Sequence, residues 1–196
     1  MKKIILASNN GHKLREVREI LTGYEVLSLK DIGFNGDIDE TGETTEENAK
    51  IKALAIQEYC KDNDLDYAII ADDTGLFVDS LDGAPGIHSA RFASDHDEEA
   101  NRQKLLKCLE GMGNRNAHFK STICYVYKDD IRFFTGRTYG EITTEKIGSD
   151  RFGYDCLFMS KDLNKTFGEA TEDEKNSVSH RGRSVEELKK WLDANN

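Results

Sequence analysis

The chain has 196 residues, enough to bury a substantial core, and a single domain over 1–196 is expected. Its 27 Lys and Arg against 37 Asp and Glu give a net charge of −10, which argues against a dedicated nucleic-acid binder and leaves anion binding to locally converging cations. The start, Met1 to Leu6, is too briefly apolar for a signal peptide, and no run reaches membrane-spanning length. Cys60, Cys108, Cys124 and Cys156 are widely spaced with no C-x-x-C pair, so reduced thiols in a soluble cytoplasmic protein with no membrane partner are expected.

Residues 2–7 read as a buried strand. The small polar turn Ser8-Asn9-Asn10-Gly11-His12-Lys13 follows, then a helix over about 12–21 with Leu14, Val17, Ile20 and Leu21 on one face. Strand, polar loop and helix aim free backbone N–H groups at an anion, and Lys13 adds a charge in the first turn. A second short strand covers 24–29. A Gly- and acid-rich loop ends in Asp39-Glu40-Thr41-Gly42-Glu43, and a helix is expected from about Thr45 to Cys60 with Ala49, Ala53, Ile56 and Cys60 inward. Lys50 and Lys52 lie two positions apart and so face differently, one free to reach a site while the other is solvated.

The chain is organised around Ile69-Ile70-Ala71-Asp72-Asp73-Thr74-Gly75-Leu76. An apolar run of strand length drives into two adjacent carboxylates, which are expected to sit where the core ends. Two such acids repel unless cations or hydrogen bonds compensate. Successive strand residues point to opposite faces, so only one of Asp72 and Asp73 is expected to face a metal, the other serving as support. Beyond a stiff turn at Gly83-Ala84-Pro85-Gly86, a surface helix is read over about 97–109. A long hairpin turning at Asp129-Asp130 comes next, its first strand half-buried over 117–127. A last helix is read over about 184–195.

Three chemical groups result. Ser8 to Lys13 with Lys52 and Lys175 suit an anion; Glu40, Asp72 and Asp73 suit a metal; Phe152, Tyr154, Asp155, His180 and Arg181 suit a planar base. Together these are what a nucleoside polyphosphate hydrolase needs.

The same blocks resemble the inosine/xanthosine triphosphate pyrophosphatase family. The resemblance is carried by Ser8 to Lys13, Glu40-Thr41-Gly42 with Glu47-Asn48-Ala49, and Ala71 to Leu76. It continues through Gly83 to Gly86 with Ser89-Ala90-Arg91, Phe152-Gly153-Tyr154-Asp155, and Glu174-Lys175-Asn176 with Ser179-His180-Arg181. Six blocks in register cover nearly the whole chain.

The resemblance implies an elongated, two-lobed α/β fold with a long mixed β-sheet flanked by helices, a central substrate cleft and a homodimer. It implies Mg²⁺-dependent hydrolysis of ITP, dITP or XTP to the monophosphate and pyrophosphate. On this pattern Ser8, Asn9, Asn10, Gly11, His12, Lys13 and Lys52 bind substrate phosphates, and Thr74 contacts substrate. Asp73 accepts a proton and, with Glu40, holds the metal. Phe152, Gly153, Tyr154, Asp155, Lys175, His180 and Arg181 bind the nucleotide. Arg181, a donor without acceptor capacity, is expected to favour a 6-oxo purine. The chain departs from the family at Arg151, Cys156 and Gly168, all near the expected base site. The rival readings are a nucleotide-binding regulatory module without hydrolysis and a pyrophosphatase of modified pyrimidine nucleotides on a related fold.

Overall fold

Strands and helices follow one another as β1 (Lys2–Leu6), α1 (Gly11–Ile20), β2 (Tyr24–Leu27), α2 (Thr45–Asp62), β3 (Ala68–Val78), β4 (Pro85–Gly86) and α3 (Glu98–Cys108). After them come β5 (Asn116–Tyr127), β6 (Asp130–Ile142), β7 (Phe158–Ser160), β8 (Lys165–Thr166), α4 (Glu172–Val178) and α5 (His180–Asn195). The computed structural model describes residues 2–150 and 152–195, so Arg151 lies outside the described residues. The strands form one mixed sheet in the order β2-β1-β3-β5-β6-β7-β8, with β4 on β3. Pairing is parallel between β1 and both β2 and β3, and antiparallel for β3–β4, β6–β7 and β7–β8. The α/β class and mixed sheet are as expected. No helix of the described residues is long and apolar enough to cross a membrane.

Two compact units divide the chain. The first comprises residues up to Asp73, 121–136 and those from Arg181 onward; the second comprises 74–120 and 137–180. In the first unit, strand parity builds three layers. Ile4, Leu6, Ile70, Ile123 and Tyr125 pack against Val17 and Ile20 of α1 and Val185, Leu188 and Leu192 of α5. The alternate residues Ile5, Ala7, Ile69, Ala71, Cys124 and Val126 pack against Ala49, Ala53, Ile56 and Cys60 of α2. Each fully buried Ile or Leu stabilises the fold by about 1.5–3 kcal/mol. In the second unit Leu76, Val78, Phe119, Ile142 and Phe158 form a core with Leu105 and Leu109 of α3.

Several expectations are corrected. β3 does not end at the carboxylates but runs through Asp72 and Asp73 to Val78. β5 is not half-buried along its length: residues 121–126 are buried without a break, because helices cover both faces of the sheet there. The cap of α2 is Thr44, whose hydroxyl accepts from the Glu47 amide at 3.1 Å, while Thr45 turns inward to share a hydrogen bond with Thr122. α5 starts at His180, which places Arg181 in its first turn rather than in a preceding loop. Gly75 is required by close approach, since a Cβ there would lie 2.5 Å from the Gly86 carbonyl oxygen.

Candidate active site

Parity along β3 separates the two central acids. Asp72 shares the side of Ile70 and meets α1 and α5, while Asp73 shares the side of Ala71 and meets α2. Both are buried, at 0% and 5% exposure. Asp72 Oδ2 accepts from Arg181 Nη2 at 3.0 Å and Nε at 3.2 Å and pairs with Lys13 Nζ at 2.9 Å; its Oδ1 accepts from the Ser121 hydroxyl at 2.7 Å. Burial pushes this carboxyl up, but Arg181, then Lys13 and Ser121, outweigh it and hold it well below 3.8. Asp72 is thus held ionised at neutral pH as an internal anchor of the first unit.

Asp73 is in a different state. Its Oδ1 accepts from Lys52 Nζ at 3.1 Å, and the same ammonium donates to Glu40 Oε1 at 2.8 Å and to the Asp72 carbonyl at 2.9 Å. Asp73 Oδ2 is buried and has no hydrogen-bond partner. Burial raises the Asp73 carboxyl above 3.8, against the pull of Lys52 and Lys13 and with help from Glu40 and Asp72. Lys52 stays charged, because Asp73 and Glu40 overcome the effect of its own burial. Lys50, two positions away, is exposed.

The residues present fit a divalent cation. Lys52 brings the Glu40 and Asp73 carboxylates together, and the orphaned Asp73 Oδ2 needs a partner. Among the described residues no set of three or more His, Cys, Asp or Glu forms a cage. Two carboxylates sharing one lysine supply hard oxygen donors, the ligand type that divalent cations of the alkaline-earth kind take.

The loop before α1 differs from expectation. Its amides are not simply held open for an anion: Ser8 N donates to the Leu6 carbonyl at 2.8 Å and Asn10 N to Ser8 Oγ at 3.2 Å. Asn10 Oδ1 accepts from the His12 and Lys13 amides at 3.0 and 3.1 Å, because an N-cap side chain satisfies the same donors a ligand would use. What faces outward is a helix N-terminus free of first-turn acids, with Asn9, Gly11 and His12 exposed. Lys13 reaches back to Asp72, its Nζ 3.2 Å from the Asp72 carbonyl oxygen.

Arg181 requires the clearest correction. Its guanidinium is 1% exposed and is held by Asp72 and by Glu16. A planar donor fork buried this deeply serves as counter-ion to two buried acids, a structural role the sequence reading did not give it. Glu16, Ser121 and Ser184 complete this network and were not legible as functional. A signal for Glu16 existed: it lies four residues before the core residue Ile20, so its acid had to be paired.

In the second unit the remaining candidates form their own group. Thr74 follows Asp73 directly in β3 and is half-buried. Lys175 Nζ donates to Asp155 Oδ2 at 2.7 Å, both side chains buried, and lies 5.5 Å from the centre of the Phe152 ring. Tyr154 is buried and donates its hydroxyl to the Ser89 carbonyl at 2.8 Å; burial pushes its phenol up. The His180 ring stacks on Phe119 with centroids 4.7 Å apart. Gly153 is in the left-handed region at φ 51°. The departures from the family pattern have a packing context here. A Cβ at Gly168 would lie 2.7 Å from the Ile147 carbonyl oxygen, and the Cys156 thiol is buried and pushed up to about 11.

A model of the Ham1 family matches residues 4–191. The dITP/XTP pyrophosphatase of Clostridium perfringens is 45% identical over 196 residues, covering 96% of this chain and 96% of its own. That of Bacillus subtilis is 41% identical over 200 residues, covering 99% of this chain and 98% of its own. The Staphylococcus aureus Ham1 protein has the same fold, with a TM-score of 0.88 at 36% identity over 100% of both chains. With the family model spanning nearly every element, from β1 through α5, the chain belongs to the Ham1 family.

Proposed function

We propose that this chain is a nucleoside-triphosphate pyrophosphatase that hydrolyses ITP, dITP and XTP to the monophosphate and pyrophosphate with Mg²⁺. The observation that carries the reading is the buried Asp73, with one oxygen on Lys52 and the other unpartnered, beside a Glu40 held by the same lysine. Similarity to relatives named dITP/XTP pyrophosphatase supports the substrate class.

In this reading Glu40 and Asp73 hold the ion. Mg²⁺ supplies, when bound, charge neutralisation at the phosphate oxygens as pyrophosphate departs. The Asp73 carboxylate would orient the attacking water and take its proton, a role suited to a carboxylate whose proton affinity burial has raised. Lys52 fixes Asp73 and Glu40, and Lys13, set by Asp72, meets phosphate with Ser8, Asn9, Asn10, Gly11 and His12 at the α1 N-terminus. Thr74 contacts the substrate. Phe152, Gly153, Tyr154, Asp155, Lys175 and His180 supply the nucleoside-recognising group: a ring for stacking and a buried lysine–aspartate pair for polar contacts.

The protein acts in the cytoplasm as a homodimer in this reading. Four free cysteines support the first. The exposed Tyr139, 53% accessible and adjoining the His118–Phe77 stack in the second unit, supports the second. Phosphate release measured after added inorganic pyrophosphatase, with ITP, GTP and ATP compared with and without EDTA, tests the function. Mg²⁺-dependent signal with ITP well ahead of ATP and GTP is expected. Equal rates on all three, or binding without turnover, contradicts it.

A further inference from the structure

The helix α3, which reads as a surface helix, buries an arginine. Arg102 is 5% exposed, an unusual state for a guanidinium unless its donors are all placed. Its Nη1 donates to the Gly153 carbonyl at 2.7 Å. Nε and Nη2 donate to Glu99 Oε2 at 3.3 and 3.2 Å, and Nη1 lies 3.5 Å from Glu98 Oε2. Lys146 extends the brace by pairing with Glu99 at 3.2 Å and Asp150 at 2.9 Å.

We propose that Arg102 is a positioning residue for nucleotide recognition, fixing the Gly153 carbonyl and with it the turn that carries Phe152, Tyr154 and Asp155. This rests on the reading of that turn as the nucleoside-recognising group. Gly153 adopts φ 51°, and a Cβ there would meet nothing within 4 Å, so glycine serves the backbone conformation rather than close packing. A glycine of that kind is also the freest point of the turn. Tyr154 is tied through its hydroxyl to Ser89, and Asp155 through its carboxylate to Lys175. The Asp155 amide closes the turn on the Phe152 carbonyl at 3.1 Å, and Arg102 holds the intervening Gly153 carbonyl, so the guanidinium ties the turn's backbone to α3. Its Glu98 and Glu99 partners lie on the same helix, so the guanidinium is aimed before any ligand arrives. Without it Gly153 regains backbone freedom that binding must then remove, which weakens binding and leaves the chemical step alone.

The test compares wild type, Arg102→Ala and Glu99→Gln on ITP, with inorganic tripolyphosphate as a competitive inhibitor that lacks a nucleoside. Arg102→Ala should raise KM for ITP about tenfold, the effect of losing one charge-assisted hydrogen bond, with kcat and the tripolyphosphate Ki within about twofold. Glu99→Gln keeps the Gly153 bond and should leave KM within about twofold. Unchanged KM in Arg102→Ala overturns the proposal, as does an equal rise in Glu99→Gln or an equal rise in the tripolyphosphate Ki. Where Arg102→Ala does not fold, Arg102→Met, which keeps the stem and removes the donors, takes its place with the same criteria. Calorimetric Kd values for ITP in EDTA read the same weakening without turnover. A wild type that binds ITP and does not hydrolyse it refutes the reaction, while the Kd of the variant still decides the role of Arg102.

Discussion

Replacing Asp72 with Asn isolates the internal anchor from the chemistry next to it. The side chain keeps its shape, yet the buried guanidinium of Arg181, 1% exposed, loses the carboxylate that both Nη2 and Nε contact while keeping its contact with Glu16. Lys13 loses the carboxylate but keeps the position 72 carbonyl within 3.2 Å, and its side chain, 15% exposed, can turn toward solvent. The loss therefore falls on Arg181. Breaking a buried pair by removing one partner costs about 3–5 kcal/mol, and the surviving Glu16 contact argues for the low end. A change of about 3 kcal/mol should lower Tm by roughly 6–12 °C for a chain of this size. Urea unfolding followed by circular dichroism measures it directly, with an unchanged m-value showing that the denatured state is not responsible. The sign of the pH dependence gives a second check. A carboxyl held below 3.8 in the folded state stabilises above that value and loses its contribution as pH falls through the folded pKa. The variant should therefore lose less stability than wild type below about pH 4. Stability within about 1 kcal/mol of wild type at neutral pH would refute the anchor role.

Asp73→Asn should behave in the opposite way. Its carboxyl is raised above 3.8, so its stabilising contribution is present below that value and lost as pH rises through the folded pKa; at neutral pH the variant should be as stable as wild type or more so. Its kcat should fall by about 10²–10⁴, read in a steady-state assay, and equal kcat losses in Asp72→Asn and Asp73→Asn contradict the division of roles. Gly75→Ala should destabilise by about 1–3 kcal/mol in urea unfolding, because its Cβ lands against the β4 backbone at Gly86. Of the four cysteines, Cys60, Cys124 and Cys156 are buried with thiols pushed up, the latter two to about 12 and about 11. Native labelling with a disulfide reagent at pH 8 should therefore reach Cys108 alone, identified by peptide mass.

Patterns confined to one element were legible. The inward face of α2 and the division between Lys50 and Lys52 follow from helical spacing alone. The course of β3 was not, because a local rule ends a buried strand at a pair of acids. The cations that keep Asp72 and Asp73 inside come from Lys13, Lys52 and Arg181, 59, 20 or 21, and 109 positions away. Their compensation is a tertiary fact. Arg181 shows the same limit from the other side. Its place beside His180 allowed it to read as a donor to a base, while the α5 start that turns it inward toward Asp72 and Glu16 depends on a helix boundary that sequence sets poorly. Arg102 was passed over because an arginine among Glu98, Glu99 and Gln103 reads as solvated, and the carbonyl it serves is 51 positions away.

The central claim is attack that releases pyrophosphate in one step, and product identity tests it most directly. ITP incubated with the protein and Mg²⁺ should give IMP and pyrophosphate in equal amounts on anion-exchange chromatography, with no IDP at any time and no product after chelation. Accumulation of IDP with orthophosphate would contradict the account.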